Sequence, residues 1–326
     1  MDINYLLFLQ HLREITNNVF SPFLIWMSDF ATGFWPVAMI CMIFWAFDRK
    51  AGRRIMAGFG LGVLANGVLK LTFRITRPWL RDARVVPYGD AITHATGYSF
   101  PSGHSTFATS LFGGTGLWLR KKGRKVLAGV LFLAMVLTFF SRNYLGVHTP
   151  QDVFVGFAST ALMMFAASKI EDWTDADPKR DIYVMIAGLA LCAVLFVYYT
   201  NIHITPVYDA AGNLAVDPVK MVADAFEGIG FISAFCVCRF FERRHFHFDT
   251  EKSWKDRFVI GVFALVPLYV WCVPVYEKIK DINRFAGKFG MHAGIAIYAL
   301  IIVPFVMSKI HIPAHSTSAE SVCVAE

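Results

Sequence analysis

The stretch SRNYLGVHTPQD, residues 141–152, separates the apolar runs Val126–Phe140 and Val153–Ala167. It places Arg142, His148 and Asp152 where one membrane helix would end and the next would begin. Thr149-Pro150, followed by Asp152, is typical of a helix start with an N-cap, a proline at the first position and an acid at the third. The stretch therefore predicts a pair of helices joined by a polar corner.

Similar apolar runs recur along the whole chain. The sequence is 56% hydrophobic and 17% charged, whereas soluble domains carry about 25% charged residues. Mean hydropathy is +0.49. We therefore predict an all-α, polytopic membrane helical bundle with about nine transmembrane helices. The predicted spans are Ala31–Phe47, Ile55–Phe73, Ser105–Leu119, Val126–Phe140, Val153–Ala167, Ile182–Tyr199, Val222–Phe241, Phe258–Val275 and Met291–Met307.

The distribution of charge excludes a nucleic-acid partner and predicts an orientation. The net charge of +7 comes mainly from Lys and Arg between the apolar runs, without a basic stripe interleaved with aromatic residues. Most of these cations fall in loops on one side, which the positive-inside rule assigns to the cytoplasm. This predicts an outward N-terminus, an inward C-terminus and the polar corner on the non-cytoplasmic face. The lipid bilayer is the expected partner, and no sequence feature bears on the oligomeric state.

The chain divides into three predicted parts. Residues 1–30 are mixed apolar and polar, which is typical of an interfacial amphipathic segment. Residues 31–170 hold all of the candidate chemistry and form the predicted catalytic core. Residues 171–326 add transmembrane helices and a cytoplasmic tail, and we assign no function to them. The six cysteines lack the spacing of a disulfide framework or a zinc site.

A second polar block closes the second apolar run. Lys70 and Arg77 are seven positions apart, about two helical turns, which would put both on one face of a helix that Pro78 then stops. One interpretation is that these cations hold phosphate oxygens. The alternative is that they are cations at a helix end that extend towards the membrane surface.

A third block, Pro101-Ser102-Gly103-His104, opens the third apolar run. Ser102 is a natural N-cap, and the free amides of a first helical turn point at anions. The alternative is an ordinary capped helix with a bystander histidine. Asp152 has a similar alternative as a capping residue, although it also lies four positions after His148, close enough to orient the imidazole. The conjunction favours a phosphate site, because three helix ends carry phosphate-compatible groups on one predicted side.

In this order, Lys-x6-Arg-Pro, Pro-Ser-Gly-His and Ser-Arg-x5-His-x3-Asp resemble the signature of the type 2 phosphatidic acid phosphatase superfamily. The resemblance covers about residues 55–167 and implies a membrane phosphatase core that works through a phosphohistidine. It implies His148 as nucleophile, His104 as acid and then base, and Asp152 as the partner that orients His148. It further implies that phosphate oxygens are bound by Lys70, Arg77, Ser102, Gly103 and Arg142.

The resemblance leaves the substrate open. The leading hypothesis is a lipid phosphate or pyrophosphate monoester hydrolysed without cofactor or metal. The alternative is a soluble sugar phosphate, since nine spans with an outward N-terminus resemble the glucose-6-phosphatase arrangement. A phosphate-binding transporter is a third hypothesis, disfavoured because binding alone needs no pair of histidines. Residues 79–100 would form a lid in which Arg81 and Arg84 hold a second phosphate or a head group. The alternative is that these arginines pair with Asp82 and Asp90, or face solvent.

Overall fold

The computed structural model describes residues 2–92, 95–246, 248, 250 and 253–309 of the chain. The predicted all-α architecture is confirmed, because apolar segments satisfy their backbone hydrogen bonds internally by forming helices. Residues 310–326, which fall in the predicted cytoplasmic tail, lie outside the described residues. The helices are α1 (Asp2–Ile15), α2 (Ser21–Thr32), α3 (Phe34–Ala46), α4 (Arg49–Phe73), α5 (Pro78–Arg81), α6 (Gly103–Ala108), α7 (Gly114–Lys121), α8 (Lys125–Tyr144), α9 (Pro150–Ala176), α10 (Asp181–Asn201), α11 (Pro218–His245), α12 (Trp254–Val270), α13 (Tyr276–Ile282), α14 (Arg284–Ile297) and α15 (Val303–Lys309).

Three π-helical segments join neighbouring helices into longer ones. Thr109–Gly113 links α6 to α7, Trp271–Val275 links α12 to α13, and Tyr298–Ile302 links α14 to α15. Between α10 and α11, β1 (Val207–Tyr208) and β2 (Leu214–Val216) form a small antiparallel hairpin.

The number of membrane-spanning helices differs from the prediction. In the described part of the chain, seven helical stretches are long and apolar enough to cross a membrane, or eight if the bent pair α2–α3 is one span. The predicted count of nine is therefore not confirmed. The predicted span at 105–119 lies in the continuous helix Gly103–Lys121, which is not among these stretches. That helix is rich in Ser, Thr and Gly, and its middle is buried among other helices, so it does not need a lipid-facing apolar surface.

Polar contacts define the opposite ends of the bundle. At one end, Asp48 before α4 lies 3.2 Å from Lys122 before α8, and Lys50 lies 2.5 Å from Asp175 at the end of α9. At the other end, the N–H of Ser102 donates to the carbonyl of Asp152 at 2.9 Å. The predicted polar blocks thus gather at the end opposite the basic loops.

Helix α4 forms the centre of the bundle, between α9 and α11. A Cβ atom at Gly62 would lie 2.9 Å from Thr160 Cγ2 of α9, and one at Gly228 of α11 would lie 2.8 Å from Leu64 Cα. Glycine at these positions allows the helix backbones to approach closely. The packing fixes the end of α4, which carries Lys70, beside the starts of α9 and α11.

Candidate active site

His148 and Asp152 form a buried pair just before and inside the first turn of α9. Their side chains are 2% and 3% exposed, and His148 Nδ1 lies 3.5 Å from Asp152 Oδ2. The same carboxylate oxygen accepts hydrogen bonds from the N–H of Thr149 at 2.8 Å and from Ser99 Oγ at 2.6 Å. The two interpretations of Asp152 are therefore compatible, because it completes a capping box and faces the imidazole at once.

Arg77 determines the tautomer of His148. Arg77 Nη1 lies 2.9 Å from His148 Nε2, and a guanidinium can only donate hydrogen bonds. His148 Nε2 must therefore accept with its lone pair, while Nδ1 carries the proton and points towards Asp152 and Ser99. This is the tautomer that leaves Nε2 available as a nucleophile.

The surroundings of His148 favour its neutral form. Burial lowers the pKa of His148 far below its ordinary value, and the positive charge of Arg77 lowers it further. Asp152 opposes both effects by its hydrogen bond and its charge, without reversing them. We conclude that His148 holds its lone pair at neutral pH.

The backbone that positions Arg77 is not the helix that the sequence predicts. Helix α4 ends at Phe73, and Arg74 follows in the left-handed region at φ 53°. Arg77 is extended and precedes α5, so Pro78 begins a helix instead of stopping one. The prediction that Lys70 and Arg77 share one helix face is therefore wrong. Arg74 turns away and donates to the carbonyl of His203 at 2.8 Å.

Backbone carbonyls hold the Arg77 side chain against His148. Its Nε donates to the carbonyl of Gly97 at 3.1 Å, and Nη1 donates to the carbonyl of Val147 at 3.0 Å. The residue is 4% exposed. These carbonyls fix the guanidinium in place while leaving it without a carboxylate partner within the described residues.

Arg142 ends α8 and is also buried, at 2% exposure. Its Nη1 donates to Ser28 Oγ of α2. Its Nε and Nη2 are buried without a hydrogen-bond partner in the described structure. Because buried donors normally have partners, these two nitrogens are available to donate to a ligand or to water.

The Pro-Ser-Gly-His block opens α6 as predicted. Ser102 is the N-cap and its side chain accepts from the N–H of Ser105 at 3.3 Å. A Cβ atom at Gly103 would meet nothing within 4 Å, so the space in front of this helix start is open. Open space beside free N-terminal amides suits an oxyanion.

His104 lies among the predicted cations. It is half-buried and makes no hydrogen bond within the described residues. Its imidazole interacts electrostatically with Arg142, His148, Arg77 and Lys70. The structure therefore brings both histidines and all three predicted cations to one end of the bundle.

Comparison with known proteins agrees with this geometry. Residues 51–175 match the sequence model of the family described as the PAP2 superfamily. This segment is therefore similar to the PAP2 superfamily. Phosphatidylglycerophosphatase B of Bacillus subtilis (strain 168) is 32% identical over 134 residues, which cover 39% of this chain and 62% of that protein.

The names of two further relatives refer to a diphosphate substrate. An undecaprenyl-diphosphatase of Sulfolobus acidocaldarius is 29% identical over 136 residues, 42% of this chain and 62% of that protein. Undecaprenyl-diphosphatase BcrC of Bacillus subtilis (strain 168) is 26% identical over 160 residues, 48% of this chain and 77% of that protein. The chain thus spans 62% of the length of the first two relatives. No solved structure matches the chain.

The PAP2 segment contains site residues that sequence reasoning missed. Ser99 bonds Asp152, and Asn66 Nδ2 donates to Thr106 Oγ1 at 3.1 Å and lies 3.4 Å from the carbonyl of Pro101. Ser99 lies two positions before Pro101 and Asn66 four before Lys70. Proximity to the motifs was their only sequence signal. Ser28, which accepts from Arg142 and lies outside the PAP2 segment, carried no sequence signal.

The loop between the first two PAP2 blocks does not offer its arginines to a second phosphate. Arg84 Nη2 donates to Asp82 at 2.7 Å, and Arg81 Nη2 donates to Asp2 of α1 at 2.9 Å. The alternative of pairing with Asp82 is confirmed for Arg84, whereas the partner of Arg81, Asp2, was not predicted. Thr93 and His94 of this loop lie outside the described residues.

Lys70 interacts electrostatically with Arg77 and Asp152 and also borders a cavity. This cavity, of about 180 Å³, is also lined by Gly103 of the PAP2 segment and by residues of α11 and α14. Among the described residues, no cluster of three or more His, Cys, Asp or Glu side chains could hold a metal ion.

Proposed function

We propose that the protein is an integral-membrane phosphatase that hydrolyses a lipid phosphate or pyrophosphate monoester through a phosphohistidine, without a metal. The observation that carries this proposal is the His148 tautomer. Its Nε2 accepts from Arg77 at 2.9 Å while Nδ1 faces Asp152, so a neutral nucleophile lies among cations suited to phosphate. The relatives named as phosphatidylglycerophosphatase and undecaprenyl-diphosphatase support the substrate class.

In the first step, Nε2 of His148 attacks phosphorus and forms a P–N bond while the P–O bond to the leaving group breaks. His104 gives a proton to the departing oxygen. Asp152 and Ser99 hold the Nδ1 side of His148 and stabilise the charge that develops on the ring. Arg77 must release His148 Nε2 at this stage, and we propose that it then donates to a phosphate oxygen.

In the second step, His104 accepts a proton from water as the water oxygen attacks phosphorus. The P–N bond breaks, inorganic phosphate forms and His148 returns to its neutral form. Lys70, Arg77 and Arg142 would stabilise the equatorial oxygens in both steps, together with Ser102 and the Gly103 amide. The unpaired Nε and Nη2 atoms of Arg142 suit this role, since an arginine can bind two oxygens at once.

The membrane orientation is also a proposal. We infer that the PAP2 site faces the non-cytoplasmic side and that the N-terminus lies outside, because the basic loops gather at the opposite end of the bundle. Single cysteines introduced at Asn213 and Lys122, in a variant whose native cysteines are replaced, test this in intact cells. We expect a membrane-impermeant thiol reagent to label the first position and not the second.

Trapping the phosphoenzyme tests the reaction itself. Rapid quenching of the purified protein with a ³²P-labelled lipid phosphate should give an acid-labile, base-stable adduct that His148→Ala abolishes. His104→Ala should accumulate the adduct, provided a substrate with a good leaving group is used. The absence of both adduct and phosphate release would overturn the proposal and favour a phosphate transporter.

Surface dilution separates lipid from sugar phosphate substrates. Turnover of a lipid phosphate in mixed micelles should fall as detergent dilutes it at constant bulk concentration. Turnover of glucose 6-phosphate would not respond to detergent. A protein active only on the sugar phosphate would contradict the lipid assignment while leaving the phosphohistidine chemistry intact.

A further inference from the structure

A cavity of about 180 Å³ joins the PAP2 segment to the C-terminal half of the chain. One wall carries Lys70 and Gly103 from the candidate phosphate site, and the facing wall carries charged residues of α11 and α14. The facing charged residues are Lys220, Asp224, Glu227 and Lys288. They lie outside residues 51–175, which match the PAP2 family.

The charged residues of the facing wall are paired with one another. Lys288 Nζ lies 2.5 Å from Glu227 Oε1 and 3.1 Å from Asp224 Oδ1. Lys220 Nζ donates to the other oxygen of Asp224 at 2.6 Å. Ionisable groups within a membrane bundle are costly, so their presence beside a reaction site indicates a function.

This pairing makes the cavity a poor site for a second phosphate. Both lysines of the facing wall are neutralised by carboxylates. Lys70, which has no ion pair within the described residues, is already assigned to the phosphate that reacts. Carboxylate oxygens repel a phosphate but accept hydrogen bonds from hydroxyl groups, and lysines donate to hydroxyl oxygens.

The position of the cavity matches the leaving-group side of the reaction. Phosphoryl transfer places the attacking and leaving atoms roughly in line. His148, Arg77 and Asp152 do not line the cavity, whereas Gly103, adjacent to the predicted acid His104, does. A group that leaves opposite His148 would therefore enter this space.

We propose that this cavity binds a leaving group whose portion next to the reacting phosphate is hydroxylated and uncharged, such as the glycerol portion of a lipid polyol phosphate, through Asp224 and Glu227. The inference rests on the proposed phosphatase function and narrows its substrate class. It disfavours a diphosphate, whose leaving group is itself a phosphate. It also gives α11 and α14 a part in recognition.

The test compares two substrates with opposite leaving groups. The leaving group of phosphatidylglycerol phosphate is phosphatidylglycerol, a hydroxylated alcohol. The leaving group of farnesyl diphosphate is farnesyl phosphate, in which a phosphate lies next to the bond that breaks. In Asp224→Asn and Glu227→Gln, we expect kcat/KM for the first to fall about 10-fold, because a hydrogen bond to a charged acceptor is lost. We expect kcat/KM for the second to stay level or rise, because the wall becomes more positive.

Opposite responses distinguish recognition from structural damage, which would lower both rates together. Arg284→Gln is the matched control, since Arg284 pairs with Asp217 at 2.8 Å at the same end of the bundle and does not line the cavity. It should change neither rate by more than about twofold. If the carboxylate variants do not fold, Lys220→Gln provides the opposite change of charge: it should lower kcat/KM for farnesyl diphosphate more than for phosphatidylglycerol phosphate, because the wall becomes more negative.

Equal effects on both substrates would overturn the inference while leaving the phosphatase function in place. Faster turnover of farnesyl diphosphate than of phosphatidylglycerol phosphate by the unaltered protein would also overturn it. No phosphate release from either lipid would overturn the proposed function, and this inference with it.

Discussion

At the scale of single residues, the structure gives His148 two different neighbours for its two nitrogens. Arg77 contacts Nε2, while Asp152 and Ser99 surround Nδ1. The arrangement specifies the tautomer without a ligand. It also means that the proposed nucleophile, His148, is covered by the same cation that we propose binds the phosphate.

Ser99 is the residue whose role is most open to a direct test. Its Oγ donates to Asp152 Oδ2 at 2.6 Å and lies 3.4 Å from His148 Nδ1. We expect Ser99→Ala to lower kcat about 10-fold with little change in KM, because a partner that orients a reacting group is lost. Steady-state kinetics on a lipid phosphate would measure both parameters.

Ser110→Ala is the matched control for Ser99. Ser110 is equally buried, but its Oγ bonds only carbonyls of its own helix, at 2.9 and 3.2 Å. Its kinetics should be unchanged. A rise in KM with unaltered kcat in Ser99→Ala would show that Ser99 acts on binding instead of on His148.

The lowered pKa of His148 predicts how stability depends on pH. The folded pKa lies below the ordinary value of 6.5, so below about pH 6.5 the unfolded chain takes up a proton that the folded chain does not. Stability contributed by neutral His148 is therefore present at higher pH and is lost as pH falls. We expect the Tm to drop between pH 7 and pH 5, and to drop less in His148→Asn.

The pH dependence of kcat/KM should also follow the protonation of His148. The neutral imidazole is the proposed nucleophile, so the acid limb of the rate profile should lie well below pH 6.5. Burial and the neighbouring cations also lower the pKa of His104, so the basic limb from this acid should lie below pH 6.5 as well, and the two limbs together give a bell-shaped profile. An acid limb centred at or above pH 6.5, with chemistry rate-limiting, would contradict the assignment of His148.

At the scale of elements, helix starts were easier to predict than helix ends. Ser102 and Thr149 cap α6 and α9 as the sequence predicts, because capping depends on local side-chain bonds. The end of α4 was missed by four residues, since Arg74 adopts the left-handed conformation. No pattern marks it, because its side chain is held by the distant carbonyl of His203.

Gly156 couples the two helix starts that form the site. A Cβ atom there would lie 2.7 Å from the carbonyl oxygen of Ser102 and 3.1 Å from Ser105 Cβ. Because a backbone oxygen cannot move alone, Gly156→Ala should push the start of α6 away from α9. A displacement of about 1 Å would lower kcat/KM about 100-fold.

The control for Gly156 is a glycine with free space. A Cβ atom at Gly129 of α8 would meet nothing within 4 Å, so Gly129→Ala should keep full activity and gain up to about 1 kcal/mol from helix propensity. Full activity in Gly156→Ala would show that α6 and α9 can separate without harm to the site.

At the scale of the whole molecule, the C-terminal half packs against the PAP2 segment and lines part of the candidate site, which the sequence does not indicate. Sequence reasoning assigned no function to residues 171–326, because their contributions are long-range contacts without a motif. Helix α11 packs against α4 through Gly228 and reaches the cavity beside Lys70. The predicted boundary near residue 170 also falls inside α9, which continues to Ala176.

A buried ionic cluster holds this half to the PAP2 segment at the end opposite the site. Arg239 of α11 bonds Glu171 of α9, and its Nη1 donates to Asp181 of α10 at 2.8 Å. Arg53 of α4 lies 3.6 Å from Glu171 and 3.3 Å from Glu242 of α11. Four helices therefore depend on a set of mutually neutralised charges.

Arg239→Met should destabilise the fold without altering the chemistry. Arg239 is 2% exposed, and removing it leaves Glu171 and Asp181 short of a partner, at a cost of about 3–5 kcal/mol. Thermal unfolding in detergent should show a clear fall in Tm. The kcat of the protein that remains folded should be within about twofold of the original, because α4 separates the cluster from the site by roughly 30 Å.

Arg244→Met is the matched comparison on the same helix. Arg244 is more exposed and lies 3.6 Å from Asp181, so its loss should cost at most about 1 kcal/mol. Equal melting temperatures for both variants would show that the cluster does not join the two halves. A lower kcat in folded Arg239→Met, with an unchanged Tm, would instead mean that the cluster acts on the site through α4.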